Sequence, residues 1–231
     1  MLTIGNVALG ALPGLLWLSW FWLKDRHEPE PRSRLLWTFG LGGLSALLIA
    51  YSRPRLEWLL PEMHGSASLL VDAFLVTALA EESAKLAAFL LGGLWQRACN
   101  EPMDGIVYAA AAALGFASVE NAYYLAAEDD ARLIVVRAFT STLAHVGFLA
   151  PAGFFLVRAK LGWGAWGREI ATLACVTSVL LHGTYDYILL DSASLGRLAL
   201  GVFMVLTLAA LGYLMRWSQR NSPFAPHAKQ A

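Results

Sequence analysis

Of 231 residues, 58% are hydrophobic and only 15% are charged, against roughly 25% charged in a soluble domain. With a mean hydropathy of +0.54, and apolar runs near the bilayer-crossing length of about 20 residues recurring along the chain, a soluble domain with one anchor is excluded. The formal net charge of zero gives no footprint for nucleic acid, and the two cysteines, Cys99 in a predicted loop and Cys175 inside a predicted span, carry no redox motif.

The pattern predicts an all-α fold, a polytopic transmembrane helix bundle of seven spans. Span one covers 2–23. No Lys or Arg precedes it and no small-residue cleavage site follows, so it does not read as a cleavable signal peptide. Span two covers 35–51. The connection "SRPRLEWLLPEMHGSA" (52–67) is the longest on its side, and its Trp58 and leucines suit a membrane interface. Span three covers 68–95 and span four 105–126. Span five covers 133–157, with Arg137 near one end and expected to snorkel towards water. Spans six and seven cover 169–190 and 197–217. No second domain or internal repeat is visible, so 1–220 reads as one transmembrane domain and 221–231 as a flexible tail.

Basic residues set the orientation. Lys24, Arg26, Arg32, Arg34, Arg97, Arg158, Lys160, Arg168, Arg216, Arg220 and Lys229 follow the odd-numbered spans. The other side holds Arg53, Arg55, Arg132 and Arg197, beside the acidic "EDDAR" (128–132). The N-terminus is therefore expected outside and the C-terminus in the cytoplasm, in a bacterial cell membrane.

Span three contains "ALAEESAKLAA" (78–88). A charged group at a helix centre costs about 2.5–3.5 kcal/mol on insertion scales, so Glu81 and Glu82 need a reason to be there. Lys85 lies four residues after Glu81 and three after Glu82, within reach of either. A buried Glu–Lys packing pair would need one acid, and here a second is left over. Glu81 shares a helix face with Ala78, Ala84, Ala88 and Gly92, a small-residue face suited to a bundle interior. Further ionisable groups follow: Glu120 and Asn121 in span four, His145 in span five, His182 and Asp186 in span six. A lone buried His is most often a satisfied packing residue. Two histidines and four carboxylates on four spans point instead to one polar chamber. The four-residue spacing of His182 and Asp186 puts them on one face, with Asp186 placed to accept from a ring nitrogen or to act as a ligand itself. Ser178 and Ser141 each lie one turn before a histidine, as hydrogen-bond partners of the site or of their own helices.

In order, "KDRHEPEPRSRLL", "EESAK", "PMDGIVYAAAAALGFASVENAYY", "LAHVGF" and "LLHGTYD" resemble the PrsW family of bacterial intramembrane proteases. That family is distantly akin to the CAAX prenyl endopeptidases and their bacteriocin-immunity relatives. Lys85, where the prenyl branch carries Arg, favours PrsW. The small-residue run lacks the glycine expected after Tyr108, a departure that bears on packing. The resemblance implies an intramembrane endopeptidase that hydrolyses a peptide bond of a single-span membrane protein in the lipid bilayer. It further implies site-1 cleavage of an anti-sigma factor in a stress response. Glu81, Glu82, His145, His182 and Asp186 are its catalytic candidates, supported by Lys85, Glu120 and Asn121.

Two mechanisms fit these residues. In the metalloprotease version, His145, His182 and a carboxylate, Glu120 before Asp186, hold Zn²⁺, and Glu81 takes a proton from the bound water. In the metal-free version, Glu81 and His145 activate water directly, while His182 with Asp186 or Asn121 stabilises the oxyanion. Two other classes share the intramembrane carboxylates and histidines: a proton-coupled transporter, and a non-catalytic immunity or scaffold protein.

Overall fold

The computed structural model describes residues 2–58, 65–128, 130–190 and 194–226, and these contain helices and no strand. The helices are α1 (Ile4–Lys24), α2 (Arg32–Trp58), α3 (Ser66–Val71), α4 (Leu79–Phe89), α5 (Pro102–Glu128), α6 (Leu133–Phe139), α7 (Ser141–Lys160), α8 (Gly167–Leu190) and α9 (Ser194–Arg220). Local chemistry sets the ends. Thr3 caps α1 by accepting from the amide of Asn6 at 3.2 Å, and Lys24 occupies its last turn, where the helix dipole favours a cation. Pro29 and Pro31 keep the following connection out of helix.

Among the described residues, six helical stretches are long and apolar enough to cross a membrane: Ile4–Lys24, Arg32–Leu56, Pro102–Glu128, Leu133–Lys160, Gly167–Leu190 and Leu198–Arg220. The third predicted span is helical as well, but it is composite. A π-helical segment, Asp72–Ala78, joins α3 to α4, and a second, Leu90–Leu94, extends α4. Wide turns of this kind cluster at functional sites, and the first ends just before Glu81 and Glu82.

One expectation needs correction: residues 52–58 continue α2, with Pro54 inside the helix, rather than forming a connection. Span five crosses as Leu133–Lys160, with a break at Thr140, whose φ of −111° and ψ of −93° separate α6 from α7. At the other end, Ser222 and Ala225 of the expected tail are buried, and 227–231 lie outside the described residues.

The centre of the bundle is α5, buried along nearly its whole length and packed on α1, α2 and α7. Lipid supplies no hydrophobic drive between helices, so close approach through small residues does the holding. The alanine run 109–113 serves that purpose, and α5 crosses α7 at two glycines. A Cβ added to Gly105 would lie 2.3 Å from the carbonyl oxygen of Gly153, and one added to Gly153 would lie 2.2 Å from that of Gly105. Neither backbone has room to yield. Gly153→Val should therefore push α7 off α5 and cost about 1–3 kcal/mol or more, the usual range for overpacking. A lowered melting temperature in detergent together with lost cleavage is the expected result, since α5 and α7 carry Glu120 and His145. Wild-type values for both would show the crossing to be loose.

Opposite the histidines, the α1–α2 connection meets the N-terminus of α5. Asp25, Glu30, Glu101 and Asp104 are all buried there. Burial, reinforced by Glu101, Glu30 and Glu28, pushes Asp25 up to about 7. Burial also raises Glu30 and Glu101.

Candidate active site

The helices bring every sequence-predicted site residue into one region. α4 carries Glu81, Glu82 and Lys85; α5 carries Glu120 and Asn121; α7 carries His145; α8 carries His182 and Asp186. Glu81, Glu82, Lys85, Asn121, His145 and His182 are all buried. The rings of His145 and His182 meet edge to face, with centroids 5.4 Å apart.

Each glutamate of the pair has its own surroundings. Glu82 is fully engaged. Lys85 Nζ donates to its Oε1, His182 Nδ1 lies 2.8 Å from the same oxygen, and Ser178 Oγ donates to its Oε2 at 2.5 Å. A carboxylate on Nδ1 leaves the Nε2 lone pair of His182 free, the arrangement usual for a ligand or basic histidine. Glu81 is the opposite case. Its Oε2 is buried with no hydrogen-bond partner and lies 3.8 Å from His182 Nε2.

His145 is held from both sides. Lys85 Nζ lies 2.9 Å from its Nδ1, and Glu120 Oε2 lies 2.9 Å from its Nε2. An ammonium group only donates, so Nδ1 accepts and Nε2 carries the proton that faces Glu120. Glu120 also accepts from Arg137 Nη2 at 2.7 Å, while Arg137 Nε donates to Asn121 Oδ1 at 2.7 Å. Asn121 in turn donates to Thr142 Oγ1 at 3.1 Å.

Several placements differ from the sequence reading. Arg137 does not snorkel: it is buried, because Glu120, Asn121 and Ser141 satisfy its guanidinium inside the bundle. Nothing in the sequence signals this, because its partners Glu120 and Asn121 lie on another helix. Asp186 lies 3.4 Å from His182 Nε2, while Glu82 takes the closer contact on the other nitrogen. Gly183, not singled out from sequence, matters too. A Cβ there would lie 2.4 Å from the ring of Phe74, on the π-helical segment before Glu81. The glycine thus lets α8 approach that segment and sets His182 beside the glutamates.

A cavity of about 510 Å³ adjoins the cluster, lined by Glu120, His145, His182, Tyr185 and Asp186 and reaching the α5–α6 connection at Asp130 and Arg132. A metal also fits the donor set. Glu81, His145 and His182 each offer a ligand atom, all within 4.8 Å of one another, and two imidazoles with a carboxylate suit a catalytic zinc-type ion.

Residues 30–213 match the model of the PrsW family intramembrane metalloprotease. The chain is 33% identical to "Protease PrsW" of Geobacillus kaustophilus over 199 residues, 86% of this chain and 85% of that one. Against "Protease PrsW" of Bacillus subtilis it is 34% identical over 183 residues, 79% of this chain and 82% of that one. Against that of Clostridioides difficile it is 30% identical over 205 residues, 86% and 84% of the two chains. No solved structure matches. A multi-pass peptide hydrolase of the bacterial membrane accounts for the buried site, the spans and the relatives together: the chain belongs to the PrsW family of intramembrane metalloproteases.

Proposed function

We propose that Glu81 is the proton acceptor for the attacking water and that the substrate reaches the two imidazoles through the cavity that opens at the α5–α6 connection. The observation that carries this reading is the buried, unpartnered Oε2 of Glu81 facing His182 Nε2. That oxygen has no competing donor, and it stands within reach of a water beside the two imidazoles. Glu82 fixes the tautomer and ring position of His182, and Lys85 ties Glu82 to His145. Glu120, held by Arg137, accepts the proton of His145 Nε2 and so fixes the ring beside His182.

The metal, when bound, would be held by His145, His182 and a carboxylate, and would polarise the peptide carbonyl and acidify a water. Glu81 and Glu120 are the two carboxylates placed for that role. Holding the metal through His145 requires its contact with Lys85 or Glu120 to open. The basic-residue distribution supports an α5–α6 connection outside the cytoplasm. A single-span membrane protein cut on that side, an anti-sigma factor by family resemblance, is the proposed substrate.

Purified enzyme in bilayers, given single-span proteins of either orientation, tests this. The expected result is a discrete fragment cut at the extracytoplasmic end, lost on chelation, with about one equivalent of metal that His182→Ala removes. Cleavage at the cytoplasmic end would overturn the sidedness. Full activity in a metal-free, chelator-treated preparation would overturn the metal.

A further inference from the structure

The acidic cluster at the α1–α2 end lies far from this chemistry. Asp104 and Glu120 share α5, and sixteen residues at 1.5 Å each separate them by about 24 Å. Asp25, Glu101 and Asp104 each offer a carboxylate oxygen, all within 4.8 Å of one another. Each residue is at most 2% exposed. Asp25 Oδ1, Glu101 Oε2 and Asp104 Oδ1 are buried without a hydrogen-bond partner, as is the Oδ1 of Asn100 next door.

The second oxygens explain how the free ones are aimed. Asp104 Oδ2 accepts from the amides of Asn100 at 2.7 Å and Glu101 at 2.8 Å, capping α5 ahead of Pro102. Asp25 Oδ2 accepts from the amide of Glu30 at 3.2 Å. Glu30 is fixed in turn by the hydroxyl of Tyr108. Local backbone therefore holds one oxygen of Asp25 and Asp104 and turns the other inward. Two nearby cations are engaged elsewhere: Lys160 Nζ donates to the carbonyls of Leu94, Gln96 and Cys99, and Arg32 stacks on Trp22.

We propose that Asp25, Glu101 and Asp104 bind a hard divalent cation of the Mg²⁺, Mn²⁺ or Ca²⁺ class, separate from the catalytic centre. Unpaired buried carboxylates are expensive, and three oxygens without nitrogen or sulfur select this class of ion. Oxygens up to 4.8 Å apart match opposite ligands of an ion bound at about 2.3–2.6 Å. A cation there joins two chain segments, and hydrogen bonds tie a third to them. Asp25 closes α1, Glu101 and Asp104 open α5, and Gln219 of α9 is tied in by donating to the carbonyl of Lys24 at 2.7 Å, with its own carbonyl 3.1 Å from His27 Nε2. The site is thus a structural clamp on one end of the bundle.

Chelator-stripped full-length protein in detergent, titrated with Mn²⁺ and followed by electron paramagnetic resonance and thermal melting, tests this. Mn²⁺ should bind saturably and raise the melting temperature, and Ca²⁺ or Mg²⁺ should compete for it. His182→Ala, which disables the catalytic site, should retain this binding. Glu101→Gln and Asp104→Asn should each weaken it by at least about tenfold. Failure of the catalytic-metal reading alone would leave all of these results unchanged. No saturable Mn²⁺ binding by wild-type protein would overturn the clamp and leave carboxyls that share protons. Binding that survives both carboxylate substitutions, or that His182→Ala abolishes, would overturn it as well.

Discussion

Glu81→Gln should insert and fold like the wild type yet lose about 10²–10⁴ in cleavage rate, the usual effect of removing a positioned base. The amide keeps the size of the side chain and stays in contact distance of His182 Nε2, 3.8 Å from the present carboxylate oxygen. It cannot take a proton. Because Oε2 has no hydrogen-bond partner, the substitution breaks no buried network, so the melting temperature should barely move. Metal content separates two roles for the same oxygen. A variant that keeps its metal and loses cleavage identifies a base. A variant that loses both identifies a ligand. Wild-type cleavage by Glu81→Gln would remove Glu81 from the chemistry and leave Glu120, His145 and His182 to carry it.

Much of this was legible in the chain. Apolar runs showed the spans, and their polar interruptions showed the site, because an ionisable group in lipid needs a partner or a function. The transporter and scaffold alternatives were also consistent with those interruptions. Family membership decides for the hydrolase, which helix pattern alone does not. What stayed hidden is pairwise. Helical spacing says that Lys85 can reach either glutamate, but only the position of α8 shows that Ser178 and His182 converge on Glu82 and leave Glu81 free. Nor does spacing show a break at Thr140, which no Pro or Gly marks. The acidic cluster of Asp25, Glu101 and Asp104 was hidden for a related reason. Its members lie at the end of α1 and the start of α5, about 75 residues apart, and each of these reads as an ordinary solvated helix end.

Lys85→Met should be the most damaging single change to folding among the site residues. Lys85 is fully buried, and its ammonium contacts both Glu82 and His145 while lying 4.9 Å from the ring centroid of Phe116. Methionine fills the space but supplies no charge and no donor. Glu82 then keeps only Ser178 and His182 as partners, and the acceptor nitrogen of His145 faces a thioether. Removing one member of a buried ion pair costs about 3–5 kcal/mol, because the remaining charge is uncompensated. That is a large share of the roughly 5–15 kcal/mol that holds an ordinary domain together. The expected outcome is poor insertion or a sharply lowered melting temperature, with activity lost through misplacement of His182 rather than through lost proton transfer. Two further variants separate charge from shape. Lys85→Arg keeps the charge but is too bulky for a site with no spare volume, so it should rescue only in part. Lys85→Met combined with Glu82→Gln removes both charges, and should regain much of the stability while cleavage stays low, since the anchor of His182 is weakened. If Lys85→Met instead melts and cleaves like the wild type, the ion pair is not what positions His182, and the assignment of Glu82 as its anchor fails with it.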